Sequence, residues 1–132
     1  AQLSRFETIV SRKVEISSIY TELLIDCEQI ERFPLADHEN QHSNWLYCIQ
    51  LKRDIDSTEV VNRMLSLGIE VRMVFYPLSI MPPYKTFAKK HMLVSNHFSK
   101  STISLPSSYS LTNEQLRFIT NSLKHILFNA AN

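Results

Sequence analysis

Leu3, Phe6, Ile9, Val10, Ile16, Ile19, Tyr20, Leu23 and Leu24 recur mostly at steps of three and four residues, with charges between them. That is the spacing of an amphipathic helix from Ala1 to about Asp26. No capping residue precedes the stripe, so the helix is expected to be cut from something longer. Residues Glu31 to Asn44 are polar, hold Pro34 and several Asp, Asn and His, and read as a loop. Trp45 to Leu51 has the aromatic and branched content of a buried strand. Asp56 with Glu59 three residues on resembles a capping box, opening a short helix whose apolar face is Val60, Val61, Met64 and Leu65. Gly68 can end that helix in the left-handed conformation. Glu70 to Phe75 reads as the next strand, followed by a loop carrying Pro77, Pro82 and Pro83.

Beyond Tyr84 short helical turns are expected through Ser99, then a brief strand at Ile103 and Leu105 that Pro106 ends. The last helix has the cleanest local signal. Thr112 and Gln115 form a capping box, and Leu111 and Leu116 occupy the hydrophobic-staple positions. Leu116, Ile119, Leu123, Ile126 and Leu127 supply its buried stripe. The pattern predicts an α+β fold, a small antiparallel or mixed sheet covered by helices.

Composition narrows the function classes. At 132 residues, 44% hydrophobic and 20% charged, the chain is one ordinary globular domain. A formal charge of +1 gives no electrostatic case for nucleic acid or an anionic membrane. No apolar run is long enough to span a bilayer, and there is no signal-peptide pattern. Cys27 and Cys48 have no CxxC partners, and Cys48 in its apolar run reads as a buried free thiol. These features lead to the expectation of a cytoplasmic protein. The single glycine stands where a helix gives way to a strand.

His38-Glu39-Asn40-Gln41-His42 spells the zincin HExxH motif. Zinc hydrolysis would need it on a helix, so that both imidazoles share a face and the glutamate activates bound water. Pro34 nearby and the absence of apolar periodicity argue instead for a polar surface loop, and no metal ligand is assigned. Lys85, Lys89, Lys90 and His91 read as a solvated basic face. Ser79, Ser107 and Ser108 lack a GxSxG elbow, and no Gly-rich loop exists to cradle phosphates.

An ordered set of segments nonetheless carries a resemblance. These are Ala1-Gln2-Leu3 with Arg12 and Tyr20-x-x-Leu23-Leu24, then His42-Ser43-x-Trp45-x-Tyr47. Gly68-Ile69-x-x-Arg72 follows, with Phe75-Tyr76-Pro77-Leu78 and Pro82-Pro83-Tyr84. Ile103-Ser104-Leu105-Pro106-Ser107-Ser108, Leu111-Thr112 and Glu114 complete it. Nearly the whole chain resembles the C-terminal domain of the DegT/DnrJ-type sugar aminotransferases, in their perosamine synthetase-like branch.

The resemblance implies the small domain of the fold-type I (aspartate aminotransferase-like) architecture, with residues 1–26 as the interdomain helix and 42–128 as the α+β core. It implies a larger parent that uses pyridoxal 5′-phosphate to move an amino group, usually from glutamate, onto a nucleotide-linked keto-sugar. In that family the Schiff-base lysine and its partner aspartate lie in an N-terminal domain that this chain lacks. No catalytic or cofactor-binding residue is therefore assigned here, and the chain alone is expected to be inactive. A homodimer is implied as well.

Substrate-binding candidates by resemblance are Arg72, Tyr76, Ser79 and Tyr84. Arg72 is suited to a diphosphate or a donor carboxylate, or equally to a structural pair with Glu70 or Glu59. Tyr76 and Tyr84 either line a pocket or, the more frequent fate of aromatics, pack on the sheet. Trp45 is expected in the core. The family often has histidine at the place of Ser79 and glycine near Ser101-Thr102, departures that point to an unusual substrate or a degenerate copy. The competing class is a non-catalytic module for dimerisation or ligand binding. As a domain meant to meet another, the chain should expose an apolar face and self-associate.

Overall fold

The structure is a computed structural model, and it describes residues 2–33, 42–88 and 92–130. A short 3-10 turn, Gln2–Arg5, leads into α1, Phe6–Leu24. No side chain caps α1, as its sequence foretells. The chain then forms β1 (Ile30–Arg32), β2 (Tyr47–Leu51), α2 (Ser57–Ser66) and β3 (Arg72–Met73). Two 3-10 turns, Leu78–Ile80 and Pro82–Phe87, precede α3 (Leu93–Ser101), which runs directly into β4 (Thr102–Leu105). Helix α4, Asn113–Ala130, closes the domain.

The four strands form one antiparallel sheet in the order β1-β2-β4-β3. Register assigns its faces, because directly opposed residues share a side. Tyr47 opposes Leu105, and Ile49 opposes Ile103, which in turn opposes Met73. This row meets the helices: Ile49, Leu51, Ile103, Met64, Leu116, Leu123 and Leu127 are completely or almost completely buried. Cys48, Ser104 and Arg72 line the other face, with Gln50 and Thr102 beside them. The end of that face is closed by α3 through a Gln50 amide donating to Ser101 Oγ at 3.1 Å.

The α4 cap forms as its sequence dictates. Thr112 N–H donates to Gln115 Oε1 at 2.9 Å and Gln115 N–H to Thr112 Oγ1 at 3.2 Å. For α2 only half of the reciprocal arrangement exists. The Asp56 carboxylate accepts from the Thr58 and Glu59 amides, but Glu59 turns to Arg63 at 3.8 Å. Gly68, at φ 75°, ends α2 in a Schellman motif, with Ile69 N–H reaching Met64 O and Gly68 N–H reaching Leu65 O. Arg12 and Lys124 tie α1 to α4 at its two ends. Arg12 donates to Leu111 O at 2.5 Å, and Lys124 pairs with Asp26 at 2.6 Å.

Several expectations need correction. Strand β1 lies where a loop was expected, because a three-residue edge strand followed by proline is too short to show a period. The strand expected over Glu70–Phe75 shrinks to Arg72–Met73, and the short helical turns expected through Ser99 include a nine-residue helix, α3. The N-terminal stripe buries only its C-terminal half. Ile16, Tyr20 and Leu24 are enclosed while Leu3 and Phe6 stand in solvent. Both cysteines are free, Cys27 buried and Cys48 half-buried. Of the HExxH segment only His42 lies within the described residues, and among the described residues no group of three metal-binding side chains converges. Among the described residues no helix is long and apolar enough to cross a membrane.

Candidate functional site

The segment from Gly68 to Phe87 is positioned from both ends. Behind it the Schellman turn fixes where the chain leaves α2, and Ile69 and Val71 anchor it in the core. Ahead of it, two 3-10 turns follow Pro77 and Pro82, each proline setting φ for the turn it enters. Between these anchors the side chains point outward: Phe75, Tyr76, Leu78, Ile80, Tyr84 and Phe87 are all exposed.

Arg72 sits on the open sheet face opposite Ser104. Its Nε donates to Glu70 Oε1 at 3.1 Å and an Nη donates to the same oxygen, a contact that pushes the guanidinium pKa up. Of the two acidic partners considered for Arg72, Glu70 is the one it meets. Both side chains are largely solvated, so the pair holds the fork weakly and leaves it exchangeable for another anion.

Tyr76 is 74% exposed and Tyr84 49%. Packing on the sheet, the more frequent fate of aromatics, does not occur, because β3 ends at Met73 and the chain turns outward before either residue. Ser79 is different again. Its hydroxyl is shut off from solvent and has no hydrogen-bond partner among the described residues. The four candidates thus share one segment, but Ser79 points away from the surface displayed by the other three.

The signal that sequence reading assigned to the core is Trp45. It is 65% exposed and stacks on Phe75, with centroids 6.3 Å apart and planes at 21°. Its carbonyl accepts from Lys13 Nζ and from Ser107 Oγ, each at 3.0 Å. Burial lowers the Lys13 pKa. Trp45 stands two residues before β2, where the alternation that buries Tyr47 and Ile49 no longer constrains its side chain. Asn44 at φ 49°, a left-handed residue just before Trp45, is the break.

A cavity of about 230 Å³ lies elsewhere, lined by Glu31, Gln50, Arg53, His97 and the apolar side chains of Leu93, Val94 and Phe98. A second of about 130 Å³ lies between α1 and α4 and includes Arg117 and Glu22. Neither is lined by a lysine. Lys13 is engaged with Trp45 and Lys124 with Asp26, while Lys52, Lys85 and Lys100 face solvent. The described residues do not fit a Schiff-base site for pyridoxal phosphate.

Comparison with known proteins supplies the context for this exposed edge. Residues 1–124 match the DegT/DnrJ/EryC1/StrS aminotransferase family. The chain belongs to that family. It is similar to the GDP-perosamine synthase of Escherichia coli O157:H7, 32% identical over 123 residues that cover 93% of this chain and 33% of that protein. The GDP-perosamine synthase of Vibrio cholerae is 30% identical over 132 residues, covering 95% of this chain and 34% of that protein. The chain therefore spans about a third of the length of these curated relatives. Among solved structures, the aminotransferase TlmJ from Streptoalloteichus hindustanus superposes with a TM-score of 0.86 at 18% identity, covering 99% of this chain and 35% of that one. At that identity the likeness concerns the fold, which is that of part of a sugar-aminotransferase-type chain.

Proposed function

We propose that this chain is the small, C-terminal domain of a pyridoxal-phosphate-dependent aminotransferase that aminates a nucleotide-linked keto-sugar. The observation that carries the reading is the match to GDP-perosamine synthases over almost all of this chain and only a third of theirs. The domain's share of the work is then to close one side of the cleft. Arg72 would exchange Glu70 for the substrate diphosphate or the donor carboxylate, and Tyr76 and Tyr84 would line the rim. Ser79, with its hydroxyl turned inward, supports the segment from behind. The parent acts in the cytoplasm as a homodimer, in keeping with nucleotide-sugar chemistry.

The test is expression of the complete reading frame that carries this sequence. Purified protein should show a pyridoxal phosphate absorbance band and aminate a nucleotide-linked 4-keto-6-deoxy sugar with glutamate as donor. A product that neither binds the cofactor nor transaminates, while remaining folded, would leave the domain a non-catalytic module.

A further inference from the structure

We propose that Trp45 and Phe75 form a stacking platform for the base of a nucleotide ligand, an inference that rests on the nucleotide-sugar reading above. Trp45 is the protein's sole tryptophan, and it is not a stray surface residue. Three separate devices fix its backbone. Its carbonyl is fixed by a cation from α1 and by a hydroxyl beyond β4, through Lys13 Nζ and Ser107 Oγ. The residue before it, Asn44, holds a left-handed backbone at φ 49°, which asparagine tolerates better than most residues. Asn44 is in turn locked to His42, its amide N–H donating to Nδ1 at 2.9 Å and its side-chain nitrogen to the His42 carbonyl at 3.1 Å.

The second ring arrives from a distant part of the sheet. Phe75 follows β3 and Trp45 precedes β2, and β4 lies between those two strands. The stack thus joins strands that make no ladder with each other. Its near-parallel planes leave 65% of Trp45 and 71% of Phe75 exposed. An exposed apolar pair costs solubility and adds little to folding, so its display on a fixed backbone suits a ligand with a matching face. A flat π-ring matches parallel aromatic planes, as bases do on the aromatic side chains of single-strand-binding proteins.

The neighbouring groups suit the rest of a nucleotide. Arg72, three residues before Phe75, is held only by a solvated carboxylate and can turn to a diphosphate. Ser108 and Ser110 lie exposed on the loop that begins with Ser107 and bond each other at 2.9 Å, so their hydroxyls can be re-aimed at ring or ribose edges.

The sole tryptophan makes the platform its own probe. Titration of the protein with GDP should quench Trp45 fluorescence saturably, whereas inorganic pyrophosphate and a free 6-deoxyhexose should not. Phe75→Ala should weaken GDP binding about tenfold with an unchanged far-ultraviolet dichroism spectrum, and Phe75→Tyr should restore it. Absence of saturable quenching overturns the proposal. So does equal quenching by pyrophosphate, which assigns binding to Arg72 alone, or by the hexose, which makes the pair a sugar platform. Quenching that follows protein concentration instead, with dimers in sedimentation, makes it a contact between copies and also overturns it. The two readings separate cleanly. A full-length protein that holds pyridoxal phosphate and transaminates while Trp45 ignores GDP keeps the proposed function and loses the platform.

Discussion

Two aromatic pairs start from neighbouring positions, Trp45 just before β2 and Tyr47 at its first residue, and meet opposite fates. Tyr47 packs against Tyr20 with centroids 4.9 Å apart, and both rings are almost wholly buried. Their polar tips are satisfied, since Tyr20 donates to Pro106 O at 2.8 Å and the Tyr47 hydroxyl meets Thr21 Oγ1 at 2.9 Å. Trp45 stacks on Phe75 in the open. The first pair joins α1 to β2 and forms part of the core; the second joins two loop ends and covers nothing among the described residues. Similar side-chain chemistry therefore serves stability within β2 and, on the platform proposal, recognition just ahead of it.

If that division is right, the largest loss should come from the helix-facing core. Leu123→Ala, at a side chain with no exposure in α4, should cost about 2–5 kcal/mol in urea unfolding, since its neighbours cannot all collapse into the space. A cost near zero would mean that α4 is not seated on the sheet as described.

The tyrosine pair gives a pH signature of its own. Burial raises the Tyr47 pKa from 10.0 to about 12, opposed by its bond with Thr21, and burial chiefly raises that of Tyr20 as well. The fold thus favours the neutral phenols. Their contribution is fully present below the unfolded value of about 10 and is lost as pH rises towards the folded values. Alkaline unfolding should accordingly accompany the appearance of tyrosinate absorbance above pH 10, and Tyr47→Phe should shift the midpoint upward. At neutral pH the same variant should lose about 1 kcal/mol for the missing hydrogen bond.

Thr112→Ala, which removes one half of the α4 capping box, should cost about 1 kcal/mol in thermal unfolding. Least affected should be the exposed pair. Phe75→Ala should change stability by no more than about 0.5 kcal/mol. A loss comparable to that at Leu123 would erase the distinction between the two pairs.

The local rules were legible where one short stretch of chain settles the outcome. The Thr112–Gln115 box, the Gly68 terminus and the stripe from Leu116 to Leu127 need only neighbours within a turn or two, and each formed as its residues dictate. Asp56 capped α2, but Glu59 had a competing partner in Arg63 one turn on, so the reciprocal bond failed. The edge strand β1 escaped notice because its pairing partner, β2, is remote in sequence. At the candidate site, the location of Arg72, Tyr76 and Tyr84 on one segment was readable, as was the Glu70 alternative for Arg72. Aromatic composition alone misplaced Trp45, Tyr76 and Tyr84, because burial depends on what other elements cover.

By itself the sequence determined the caps of α2 and α4, the amphipathic faces and the α+β class, which rest on spacing along the chain, and its ordered motifs carried the family resemblance. Tertiary structure alone decided which end of the N-terminal stripe is buried, that β4 separates β2 from β3, and that Trp45 meets Phe75 in solvent. The reason is physical. A cap or a turn is an energy minimum of a few adjacent residues, whereas exposure and cross-strand contact exist only once distant segments have been brought together.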